Sequence, residues 1–193
     1  MTHSLHRTGP KSHLKKDYVI LAMLAAGYND KAPDSRERLI NIAKIMKKHN
    51  PVNIMTERAW TVSTVISATY DDKELVKEVI QEIKEADLGI SIVVEGLIDE
   101  IKNFAEELDL DLNSVHLSLG TFGKKDLLPK EKVLEITSMC GHHCISPQSV
   151  LYYVDLIRNE KTTVEKAAEK LAKPCICGIF NTERAIEILK ELI

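Results

Sequence analysis

Two short stretches hold all the cysteine in this chain. Met139-Cys140-Gly141-His142-His143-Cys144 carries one pair with three residues between its members, and Cys175-Ile176-Cys177 carries the other with one between. Cysteine is scarce in 193 residues, so its concentration into two pairs is informative. Soft thiolates favour zinc and iron–sulfur clusters over magnesium or calcium. Four of them close a tetrahedral zinc site or hold a cluster. The spacing therefore predicts a metal set of Cys140, Cys144, Cys175 and Cys177, with His142 and His143 as alternate nitrogen ligands. It lacks the C-x2-C-x2-C run of bacterial ferredoxins and the paired C-x2-C of zinc ribbons. An iron–sulfur cluster is the first expectation and zinc the alternative. The first would serve electron transfer or small-molecule chemistry with a small molecule or a protein redox partner. The second would fix a binding or regulatory module without catalysis.

Cys-Gly-His-His-Cys also resembles the Cys-Gly-His-Cys motif of protein disulfide isomerases, with one histidine inserted. The two-residue gap sets that family's geometry, and the motif there follows an early strand. None of that family's functional residues is carried over to this chain. A redox switch between Cys140 and Cys144, or between the pairs, stays open, as does the plain reading of small buried hydrophobes.

Both pairs fall at expected helix-to-helix junctions. Such junctions expose backbone N–H groups, and a following helix N-terminus lowers a thiol pKa. The elements around them follow from periodicity. Residues 128–193 read as all-helical: one helix from Pro129 toward Cys140, one from Ser146-Pro147, one capped by Thr162 with Glu165 three on, and a last one capped by Asn181 or Thr182. Lys173-Pro174 halts the third just ahead of Cys175.

Upstream, helices are expected over 12–26 and from Asp34 or Ser35 to Asn50-Pro51. Residues 56–69 read as a strand from their β-branched content, although Ala59, Val62, Ile66 and Tyr70 also fit helical spacing. A helix over 71–87, a strand over 90–94, a helix over 97–108 and a strand over 115–119 follow. Strand, helix, strand is a βαβ unit. The fold class expected is thus α/β, a small mostly parallel sheet with βαβ crossovers. Two helices precede the sheet, and an all-helical cysteine-bearing segment follows it. The expected division is 1–127 for the α/β core and 128–193 for a metal-binding subdomain.

Ligands of parallel sheets gather beyond the strands' carboxyl ends. That directs attention to His116 and to the turn Gly120-Thr121-Phe122-Gly123, with Gly120, Thr121 and Gly123 close to a small molecule. An N-terminal arm bearing His6, Arg7 and His13 would serve an anionic ligand. Composition narrows the class. Hydrophobic residues at 44% and charged residues at 28% fit a globular domain. A net charge of −3 and only 5% aromatics argue against a nucleic-acid binder. No apolar run reaches membrane-spanning length, so the expected compartment is the cytoplasm. There, paired cysteines more often bind metal than form disulfides.

Overall fold

A computed structural model describes residues 7–117 and 120–193. In chain order its elements are α1 (Lys11–Leu14), β1 (Tyr18–Met23), α2 (Ser35–Lys48), β2 (Asn53–Ile54), α3 (Glu57–Trp60), β3 (Val65–Tyr70), α4 (Lys73–Ala86), β4 (Ser91–Glu95), α5 (Ile98–Glu107), a 3-10 turn (Lys125–Leu127), α6 (Glu131–Ser138), α7 (Pro147–Arg158), α8 (Val164–Ala172) and α9 (Thr182–Leu192). The chain divides into two compact units. One comprises Lys15–Leu112 and Ile176–Ile179. The other comprises the described residues of Met1–Leu14, Asn113–Cys175 and Phe180–Ile193.

The sheet unit corrects the expected topology. Its four strands run in the order β2-β3-β1-β4, and every adjacent pair is antiparallel. The α4 connection from β3 to β4 passes β1, which lies between them, so no adjacent strands are parallel. The expected mostly parallel sheet with βαβ crossovers is absent for two physical reasons. First, the run Tyr18–Met23 is the inner strand β1, not part of a helix over 12–26. Tyr18, Val19, Ile20 and Ala22 are all fully buried. A strand covered on both faces is apolar at consecutive positions and loses its period of two, so helical spacing matches it by default. Secondly, Val115, His116 and Leu117 form no strand and are exposed, Leu117 by 66%. Alternation alone does not make a strand where no face is buried. Ser118 and Leu119 lie outside the described residues.

Residues 56–69 split between the two readings. Glu57–Trp60 is a short helix, and the strand begins only at Val65. Along β3, Ile66, Ala68 and Tyr70 share one face with Tyr18, Ile20 and Ala22 of β1. That face meets Leu39, Ile42 and Met46 of α2, Val76, Val79 and Ile80 of α4, and Ile101 and Phe104 of α5 in one apolar core. Each fully buried aliphatic side chain contributes roughly 1.5–3 kcal/mol. Tyr70 Oη donates to the Met46 carbonyl at 2.7 Å and so ties β3 to the end of α2. The opposite face of β3 carries Ser67 and Thr69, both buried.

The helical unit is built from capped amphipathic helices. Ser146 accepts from the Ser149 N–H ahead of Pro147, Thr163 from Lys166, and Asn181 from Arg184. Each satisfies a donor that a helix start leaves open. Val133 and Ile136 of α6, Val150 and Val154 of α7, Leu171 of α8 and Ile188 and Leu189 of α9 are buried. Among these apolar groups sits an ion pair. Arg184 Nη2 lies 2.6 Å from Glu135 Oε1, with side chains 0% and 3% exposed. The same nitrogen donates to the Thr8 carbonyl at 2.5 Å, and His13 Nδ1 lies 2.7 Å from Glu135. No described helix is long and apolar enough to cross a membrane.

Candidate metal centre

The first cysteine pair follows α6 directly. Cys140 is fully buried, and its carbonyl accepts from the His143 N–H at 2.8 Å, closing a turn through Gly141 and His142. His143 holds a φ of +52°, a conformation that non-glycine residues adopt sparingly. The turn leaves His142, His143 and Cys144 exposed and returns the chain to the buried Ile145 and the capped start of α7.

The second pair follows α8. The Cys175 N–H donates to the Ala172 carbonyl at 2.9 Å, and its side chain is buried. Cys177 is half-buried and packs against the apolar core of the sheet unit. Its stretch is fastened there by hydrogen bonds to three successive carbonyls. The Thr56 N–H donates to Ile176 O at 3.4 Å, Ser67 Oγ to Cys177 O at 2.6 Å, and Thr69 Oγ1 to Gly178 O at 2.9 Å. Gly178 has a φ of +72°, and a Cβ there would overlap the backbone of Ile54 and Met55. Glycine is thus required twice, by its backbone angle and by its packing.

In the helical unit, Cys140 Sγ and a ring nitrogen of His142 lie within 4.8 Å of one another. A soft sulfur and a borderline nitrogen are donors that suit metal ions such as zinc. Cys177, in the sheet unit, carries a further thiol. Comparison with protein-family models, curated proteins and solved structures finds no match. The centre is therefore read from its own residues.

The other sequence-predicted residues have different surroundings. Cys144 and His143 are exposed and Cys175 is buried, and no disulfide joins the cysteines. His116 and Gly120 lie exposed in irregular chain, Thr121 is half-buried, and Gly123 is exposed. Gly120 and Gly123 have φ near +95° and +92°, with nothing near the positions a side chain would take. The described residues ahead of this turn, 115–117, form no strand whose end it could occupy. Arg7 is buried in the helical unit, where its N–H donates to the Ser138 carbonyl at 3.4 Å. His6 lies outside the described residues. Ser67 and Thr69 were missed by motif reading. Their one signal is the alternation Ile66-Ser67-Ala68-Thr69-Tyr70, which puts hydroxyls on a regular face.

Proposed function

We propose that this protein binds one zinc ion through Cys140, His142 and Cys177, and that the ion stabilises a binding or regulatory module. The observation that carries the reading is the approach of the Cys140 and His142 donors to within 4.8 Å, together with the second cysteine pair, which supplies Cys177 as a further thiolate. Donors on a single zinc, each about 2.0–2.3 Å from it, stand roughly 3.5–4 Å apart. The Cys140–His142 pair is thus close to the spacing of one ion. The ligands come together only in the folded chain, so zinc binds that form. Binding energy of this kind is folding energy: at a hundredfold excess over Kd it is worth about 2.7 kcal/mol.

The test is metal analysis combined with cobalt titration. One equivalent of zinc per chain, and an intense thiolate-to-cobalt absorption lost in Cys140→Ala, His142→Ala and Cys177→Ala, is the expected result. A folded protein that binds neither ion would end the proposal.

A second reading rests on a specific observation. Cys144 and Cys175 are the remaining members of the two pairs, four and two residues from donors of the group. With them the set becomes four thiolates, enough for an iron–sulfur cluster in electron transfer with a small-molecule or protein redox partner. Thiolates of a cluster bind different irons and stand farther apart than donors on one ion, and the Cys140–His142 spacing suits one ion better. Anaerobic purification separates the two. Brown protein with iron and acid-labile sulfide, lost on Cys144→Ala or Cys175→Ala, would favour the cluster.

A further inference from the structure

We infer that Ser67, Thr69 and Gly178 are positioning residues for the proposed ligand Cys177, forming a seat that fixes the backbone on both sides of it. The inference rests on the metal reading above, but it concerns different residues. Ser67 and Thr69 are two apart on β3 and so project from one face of the sheet. Both are buried, at 1% and 0% exposure. A strand needs no hydroxyls there for its own ladder, and buried hydroxyls must find acceptors. They find the carbonyls of Cys177 and Gly178, while the Thr56 N–H takes the carbonyl of Ile176.

The peptide groups on both sides of Cys177 are thereby fixed. Its backbone angles, and with them the direction of its Cα–Cβ bond, follow. Gly178 allows the seat to form, because any side chain there would collide with the backbone at Ile54 and Met55 and push the segment off the sheet. A metal site tolerates ligand errors of only about 0.2 Å. Groups that orient a ligand therefore matter to affinity without touching the ion, and their loss typically costs about 10–100-fold.

The test measures zinc affinity by competition with a chromophoric chelator, alongside the cobalt spectrum and hydrogen exchange at the Thr56 amide. Thr69→Val keeps the side-chain shape and removes the donor. It should weaken zinc binding about 10-fold, and Thr69→Ser should restore it; Gly178→Ala should approach the 100-fold end. Zinc should slow exchange of the Thr56 amide in the wild type and do so less in Thr69→Val, because coupling between ligand and seat is reciprocal.

The inference is overturned if Thr69→Val binds zinc with wild-type affinity and an unchanged cobalt spectrum while Cys177→Ala abolishes binding. It is equally overturned if the loss in Thr69→Val is not restored by serine, since that marks a packing effect. Should Gly178→Ala fail to fold, the valine and serine pair decides. Wild-type affinity in Cys177→Ala would instead refute the metal reading itself.

Discussion

In the helical unit, the stretch from Arg7 through the short helix α1 is fastened by charges: Arg184 holds the Thr8 carbonyl, and Glu135 holds both Arg184 and His13. In the sheet unit, the irregular stretch Ile176–Ile179 is fastened by hydroxyls: Ser67 and Thr69 hold two of its carbonyls. Both devices use side chains on regular elements to satisfy backbone groups that no ladder reaches. They differ in what failure costs. A buried charge that loses its partner is stranded in a medium that solvates it poorly, whereas a lost hydroxyl leaves one carbonyl short of a bond. The ionic fastening should therefore govern stability, and the neutral one should govern the position of the segment it holds, including Cys177.

The largest effect that would break this contrast is at Glu135. Glu135→Ala removes the carboxylate paired with the buried Arg184 guanidinium and should cost about 3–5 kcal/mol, read by urea unfolding. A cost below that of Thr69→Val would reverse the comparison.

Next comes Tyr70, a neutral fastening inside the sheet unit. Burial raises its phenol well above the ordinary value of about 10. The folded state keeps a proton that the unfolded chain releases. Its contribution to stability is full below pH about 10 and declines as pH rises beyond that. Tyr70→Phe should cost about 1 kcal/mol at neutral pH, by loss of the bond to Met46, and flatten the alkaline decline. Equal steepness in wild type and variant above pH 10 would contradict this.

The smallest effect is at the exposed pairs. Hydrogen bonds from Lys48 and His49 hold the Glu82 carboxyl below the ordinary range. Its folded pKa is depressed, so its contribution is present above the ordinary carboxylate value and lost as pH falls through the lower one. Because Glu82 is solvent-screened, Glu82→Gln should change only the acid limb, and high salt should mask the change. A larger shift at neutral pH would give exposed charge a weight reserved here for buried charge.

Much of the helical part was legible because amphipathic periodicity and capping residues are local signals. Pro147–Arg158 and Thr182–Leu192 begin where Ser146 and Asn181 cap them, and Ser35–Lys48 begins at the expected Asp34-Ser35 without a side-chain cap. Small offsets have local causes: Thr163, not Thr162, caps α8, and Asp72 caps α4, which spans Lys73–Ala86 within the expected 71–87. The sheet was less legible because its topology depends on non-local burial. Tyr18–Met23 shows no alternation once both faces are covered, and residues 115–117 alternate without being buried. The Glu135–Arg184 pair looks like ordinary helical surface charge until α6 and α9 enclose it. At the candidate centre, the spacing of the cysteines marked both pairs and offered His142 as an alternate nitrogen ligand; that His142 approaches Cys140 depends on the turn after α6, which spacing alone does not specify.

The most direct measurement is X-ray absorption at the zinc edge of the metal-loaded protein. The account predicts two sulfur scatterers near 2.3 Å and a nitrogen near 2.0–2.1 Å with imidazole outer-shell features, the latter lost in His142→Ala. A first shell of four sulfurs unaffected by that substitution would contradict it.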